Sequence, residues 1–347
     1  MASSFQPEYS YARVLGAVAR CRLGSKASAL AKQGRVAEVW KVLFAETAPA
    51  LPERLLVSAA ERRLEAEAVG EFISLAGQVS KHEGFFKALL RKSEFGYVKR
   101  LIIALGEGSE QAPDHPAFVV RPSVDESQYP DGARMFAHRR FSWLSESGSL
   151  EGSLSRGSSS REATSAKCRL DQQYYAELWK ETRRLPVGLK GSMQRVIKKE
   201  VELENVIWAL RLRRYYGMRP DEILPLLVAL RGADATHHAL DALERVPDNK
   251  SSWSGWAYED LINENARSGE DWRLDVRHVE VEARRRIFSV LVQAMHMNLG
   301  GFVPLYSYFR IKEYETAALF GVLEGIHLEA PSEEIAAFAA QFTGAYA

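Results

Sequence analysis

The chain has 347 residues, 46% of them hydrophobic, enough to bury a large core in one domain or in two or three smaller ones. Its 46 Lys and Arg nearly balance 45 Asp and Glu, which excludes the global basic footprint of a nucleic-acid binder. Cys21 and Cys168 are the only cysteines, far apart and without CxxC spacing, which argues against a disulfide framework or a zinc site and fits a reducing cytosol.

The opening, MASSFQPEYSYARV, has no basic start followed by an apolar core, so no signal peptide is expected. From Tyr9 the sequence reads as a helix with Tyr11, Val14, Leu15, Val18 and Leu23 on an apolar side. After Gly24-Ser25 comes a small-residue helix, interrupted at Gly34 and running to about residue 44. Pro49 and Pro52 punctuate the chain, and residues 53–105 continue as helices, rich in alanine, leucine and charge and nearly devoid of β-branched alternation.

Residues 106–167 break this pattern. The first part is Pro-, Gly- and acid-rich, with a short extended piece expected at Phe118-Val119-Val120 and an apolar island, RRFSWL, from Arg139. ESGSLEGSLSRGSSSREATSA, from Glu146, reads as a flexible surface connection from which no core can be built. Helices resume at Leu170, with Asp171 as the expected N-cap and Tyr174, Tyr175, Leu178 and Trp179 facing inward.

The longest clean helix is expected from Gln194 to Gly217. It carries two apolar flanks, Val196, Leu203, Val206, Ile207 and Leu210 on one and Ile197, Val201, Trp208, Leu212 and Tyr215 on the other. Glu200, Glu204 and Arg211 run between them, so the helix should be buried between neighbours with its charges paired. Short helices are expected from Asp221, from Asp234 as a cap, and from Tyr258. Between Arg286 and Arg310 lie 23 uncharged residues, long enough to span a bilayer. Gln293, His296, Asn298, Gly300-Gly301 and Pro304 interrupt that stretch, and a buried helical hairpin is the preferred reading.

The last long helix follows Pro304 and closes near Gly325. Tyr308, Ile311, Leu319, Val322 and Ile326 recur at three- and four-residue steps, and Glu315 sits in the middle of their stripe. A carboxylate on a core-facing stripe must find a donor or a cation, or else take up a proton. A paired structural glutamate is preferred to a catalytic one. A short apolar helix follows, with Ser332 as its expected N-cap.

The sequence carries no GxxxxGK[ST], GxGxxG or HExxH motif. His237, His238 and Asp241 lack further ligands in view and read as exposed helix residues, not a metal site. The basic run from Arg183 to Arg214 is laced with Glu200, Glu202 and Glu204 and reads as a solvated helix face. No catalytic, cofactor or metal residue is assigned.

Three motifs carry a family resemblance. PLYSYFRIKEYE, Pro304 to Glu315, resembles the C-terminal signature of the C subunit of archaeal/vacuolar-type rotary ATPases, whose vacuolar counterpart is subunit d, with Ala318 where Asn is usual. Glu200-x-Glu202-x-x-Asn205 followed by Leu210-Arg211 resembles a pattern that this family repeats, and Tyr9-x-Tyr11-Ala12 ahead of Arg13 resembles its N-terminal segment. Aligning Lys199-Glu200-x-Glu202 with Lys312-Glu313-x-Glu315 sets Val206 opposite Leu319 and Leu210 opposite Leu323. Glu280-x-Glu282 and the segment from Glu94 are fainter copies.

The resemblance implies an all-α fold of three pseudo-repeated helical bundles forming a funnel. The bundles would occupy residues 1–107, 169–233 and 234–347, with a Ser/Gly-rich connection at 108–168. It further implies a non-catalytic central-rotor subunit without cofactor. Such a subunit is peripheral on the cytoplasmic face of the membrane, where it couples the central-stalk subunits to the membrane proteolipid ring for proton or sodium transport. Glu315, Glu313, Glu202, Asn205 and Arg211 would hold helices to one another, and Tyr9, Tyr11 and Arg13 would fix the N-terminal helix. The alternatives are a helical-repeat adaptor with unrelated partners and an all-helical enzyme.

Overall fold

The computed structural model describes residues 7–76, 83–106, 160–264, 271–298 and 302–342. The expected extended piece at Phe118, the RRFSWL island and the Ser-rich tract up to residue 159 lie outside them. Among the described residues the fold is all-helical, with no strand. In chain order the helices are α1 (Pro7–Arg20), α2 (Ser25–Leu30), α3 (Val36–Phe44), α4 (Glu53–Ala76), α5 (Glu83–Gly106), α6 (Ser160–Thr182) and α7 (Val187–Tyr216). They continue with α8 (Pro220–Ile223), α9 (His237–Glu244), α10 (Val276–Met297), α11 (Phe302–His327) and α12 (Ser332–Ala340). No described helix is long and apolar enough to cross a membrane.

The chain divides into two compact units that do not follow sequence order. One comprises Met1–His82, Pro186–Lys199 and Arg277–Ala347; the other comprises Glu83–Leu185 and Glu200–Val276. The boundary falls inside α7.

The first unit is built around α11, which packs against α1, α2, α3, α4 and α12. Its first ten residues, Phe302 to Ile311, are all buried. Apolar burial is the main term that holds it, at roughly 1.5–3 kcal/mol for each large side chain removed from water. Phe72 of α4 meets Phe309 edge-on at 4.8 Å between ring centroids, and Phe288 of α10 meets Tyr314 at 6.2 Å. The uncharged stretch thus forms the end of α10 and the start of α11, with Pro304 inside the first turn, where no intrahelical donor is lost. Against α12, α11 turns Gly321 and Gly325. A Cβ at Gly321 would overlap the Phe338 ring, and one at Gly325 would sit 2.8 Å from Ile335 Cγ1. Hydrogen takes the place of a side chain there, so the Phe338 and Ile335 side chains lie directly against the α11 backbone.

In the second unit α5 packs along α6. Lys99–Asp171 and Arg91–Glu177, both at 2.5 Å, flank an edge-on Phe95–Tyr174 contact. Here the structure corrects several expectations. Residues 160–166, the end of the Ser-rich tract, form the first turns of α6, and Thr164 and Ala166 are buried. Small side chains pack where large ones would not fit, so low complexity did not mean exposure. Asp171 therefore lies in mid-helix, bonded to Lys99, and caps nothing. The longest helix begins at Val187, seven residues before Gln194, because Gly188 and Gly191 do not interrupt it. Over the described residues 258–264 a 3-10 turn, Glu259–Leu261, forms in place of a helix. Asn263 arrests the chain there, its amide donating to Arg273 O and its carbonyl accepting from Asp275 N. Asp234 accepts from the amides of Thr236 and His237 at 3.1 Å, but the N-cap position of α9 is Thr236. Pro331, not Ser332, precedes α12.

Replacing Gly325 with Leu is expected to lower stability by about 1–3 kcal/mol, because Ile335 is buried, branched and unable to swing away. Thermal melts followed by circular dichroism would check this. A melting temperature equal to that of the unaltered chain would mean that α12 packs elsewhere.

Candidate functional site

Two polar junctions inside the helical packing draw in the residues singled out from the sequence, one in each unit. The first lies where α11 meets α4 and the end of α1. Tyr308, Lys312 and Glu315 stand at three- and four-residue steps on one side of α11. Glu315 is 3% exposed. Its Oε1 accepts from the backbone N–H of Arg22 at 2.6 Å, and its Oε2 lies 2.6 Å from Lys312 Nζ. The Arg22 side chain donates to Leu43 O at 2.8 Å.

Beside it, Glu71 of α4 is a second hub. Its Oε1 accepts from Arg20 at 2.8 Å, and its Oε2 accepts from the Tyr308 hydroxyl at 2.5 Å with Lys312 Nζ at 3.6 Å. Two carboxylates thus face two cations across three helices, and Lys312 bridges the carboxylates.

The proton affinities follow from this arrangement. Partial burial works to raise the Glu71 carboxyl, but the Tyr308 hydroxyl and the Arg20 guanidinium outweigh it and hold Glu71 below the usual carboxylate range. Burial likewise works to lower the Lys312 ammonium, yet the Glu315 charge holds it above its ordinary value. Burial, then the hydrogen bond to Glu71, pushes Tyr308 up, so it stays a donor. The Cys21 thiol is pushed up to about 12 by burial first and by Glu315 second. It stays protonated at neutral pH, so this cysteine is not an activated nucleophile.

The second junction gathers the α7 motif. The Asn205 side chain is fully buried; its amide nitrogen donates to Val228 O at 2.9 Å and Ala235 O at 2.8 Å, and its oxygen accepts from Val228 N at 2.8 Å. This pins the non-helical segment after Pro225 onto the helix. Glu200 is also buried and accepts from the Tyr175 hydroxyl at 2.6 Å, while half-buried Glu202 meets the Tyr258 hydroxyl at 3.2 Å. The Arg211 guanidinium lies 5.4 Å from the Trp208 ring centre.

The remaining residues are placed as follows. Glu313 pairs with the buried Arg310. Arg13 reaches Ser74 Oγ at 3.5 Å, Tyr11 is half-buried, and Tyr9 is 58% exposed. Glu315, Glu313, Tyr9, Tyr11 and Arg13 belong to one unit and Glu202, Asn205 and Arg211 to the other. In the repeat alignment Glu200 faces Glu313 and Glu202 faces Glu315, but the buried carboxylates are Glu200 and Glu315, which the alignment does not equate.

Sequence reasoning missed Glu71 and Arg20 at the first junction, and it named Lys312 within a motif without giving it a role. Glu71 lies on a long helix dense in glutamates, and nothing in the order of residues distinguishes it from its neighbours. It also read the basic run as a solvated face, and its basic residues are indeed exposed or half-buried, but Arg213 has a further task. Arg213 donates to the carbonyls of Leu243 at 3.0 Å and Arg245 at 2.8 Å, closing the C-terminal end of α9. Both junctions fix helices to one another.

Comparison with known proteins adds two findings. The family model for the ATP synthase (C/AC39) subunit matches residues 25–338. A protein of Treponema pallidum (strain Nichols), described as uncharacterized, is 28% identical over 328 residues, covering 92% of this chain and 92% of that protein.

Two outcomes are expected. Asn205→Ala should cost about 2–3 kcal/mol in urea unfolding, since it strands the buried Val228 N–H and two carbonyls. A depressed folded-state pKa at Glu71 gives stability that is fully present above the unfolded value of about 4.3 and is lost as pH falls through the folded value. Stability measured from pH 7 to pH 3 should therefore fall less steeply in Glu71→Gln than in the unaltered chain. Parallel curves would remove Glu71 from the acid response.

Proposed function

Because the chain belongs to the ATP synthase (C/AC39) subunit family, we propose that it is a non-catalytic subunit of the central rotor of a V/A-type rotary ATPase. In this reading it is a socket on the cytoplasmic face of the membrane. It receives the foot of the central stalk on one side and rests on the proteolipid ring on the other. Torque passes through it between ATP chemistry in the catalytic head and proton or sodium movement in the membrane sector. The observation that carries the reading is a family match running over residues 25–338. A fold that is all-helical among the described residues, with no helix fit to cross a membrane, is consistent with it.

The physical task of such a subunit is to resist shear. The hydrophobic driving force is non-directional, whereas a buried hydrogen bond weakens as its distance and angle depart from the ideal. Glu315, Glu313, Glu202, Asn205 and Arg211 are proposed to supply that directional resistance, and Tyr9, Tyr11 and Arg13 to seat the first helix. Three related bundles, at 1–107, 169–233 and 234–347, would be the repeated unit of the socket. A helical adaptor with other partners has no specific observation in its favour.

The decisive experiment is affinity purification of the tagged chain from its own membranes in mild detergent, with mass spectrometry of what accompanies it. Recovery of P-loop catalytic subunits, stalk subunits and a small proteolipid is expected. Recovery of the chain alone, or with unrelated proteins, would overturn the reading. In the same assay Glu315→Ala is expected to reduce recovery of the stalk and ring subunits, because it leaves Lys312 without its closest carboxylate.

A further inference from the structure

We infer that α1 is a strap that undocks from the rest of its unit without global unfolding, pivoting at Gly24, with the Arg20–Glu71 and Arg22–Glu315 contacts as its clasp. The first observation is how little apolar surface holds it. Among its described side chains α1 buries only Ser10, Val14 and Ala17, with Cys21 just beyond its end. Chain attachment is different from α2 onward. Ala27, Leu30 and Ala31 are buried, Ser28 Oγ donates to Ala336 O at 3.1 Å, and Val36, Val39, Trp40 and Leu43 follow inside the core. Stabilisation by burial scales with apolar area, so α1, with Val14 and Ala17 as its buried apolar side chains over 14 residues, is lightly anchored for its length.

The second observation is what compensates. Arg20 reaches Glu71, the Arg22 amide reaches Glu315, the Arg22 guanidinium reaches Leu43 O, and Lys26 Nζ donates to Ala19 O at 2.8 Å. These bonds are concentrated at the C-terminal end of α1; among the described side chains nearer its start, Arg13 lies 3.5 Å from Ser74. Arg20 is 68% exposed, so its ion pair is accessible to salt.

The third observation is the pivot. Gly24 has φ 57° and ψ −123°, a conformation essentially reserved for glycine, and it separates the clasp from α2. Rotation there releases residues 7–23 as one piece and leaves α2 seated. Undocking bares the polar floor formed by Glu71, Tyr308, Lys312 and Glu315, and with it the Cys21 thiol, which is buried while α1 is docked. The inference concerns the fold alone and stands apart from any role in a rotor.

The test uses the full-length chain and N-ethylmaleimide, with peptide mass spectrometry to locate modified cysteines. Below the urea transition seen by circular dichroism, Cys21 is expected to be modified at a rate that barely depends on urea. Arg20→Ala and 1 M NaCl are each expected to speed that modification by about two- to fivefold, the range of an exposed ion pair. Hydrogen exchange of the unaltered chain should open residues 7–23 well before α11, which keeps the test independent of any variant. Cys21 modification that follows the dichroism transition with the same urea slope, or exchange of residues 7–23 in step with α11, would overturn the inference.

Discussion

A helix enclosed on all sides cannot send its polar residues to water, and α11 is such a helix for its first ten residues. Ser307, Arg310 and, one turn further on, Glu315 must be satisfied where they stand. The first unit is arranged around that requirement. Arg310 takes Glu313 from the next turn of its own helix, and Glu315 takes Lys312 and the Arg22 amide. Tyr308 takes Glu71 from α4. Two of these partners, the Arg22 amide and Glu71, come from outside α11, so its buried polar groups also help decide where the end of α1 and α4 are held.

The second unit solves a similar problem with a neutral group. Asn205 can offer both donor and acceptor to backbone, and it serves a segment that has no regular structure of its own between Leu227 and Ala235. A carboxylate there would accept but not donate, leaving the carbonyls of Val228 and Ala235 unmatched. Arg213 does the complementary work, meeting carbonyls at the end of α9. Burial works to lower its pKa; even so, a guanidinium keeps its charge across the physiological range.

Sequence alone determined the helical class, because alanine, leucine and charge recur at helical spacing and alternating β-branched runs are nearly absent. It also picked out Glu315, since a carboxylate amid an apolar stripe stands out at any distance from its partners, whereas Asn205 was marked only by the family motif. The family was legible in three short motifs. What tertiary structure decided was partnership. Glu71 and Glu315 are 244 positions apart and share Lys312, a contact that no local pattern encodes. The helix beginning at Ser160 was hidden because serine, threonine and alanine give no periodic signal, although they pack well once a neighbouring helix is present. Spacing tells which residues share a face; only the folded chain tells what that face meets, because ion pairs and hydrogen bonds act over a few ångströms of space and not along the sequence.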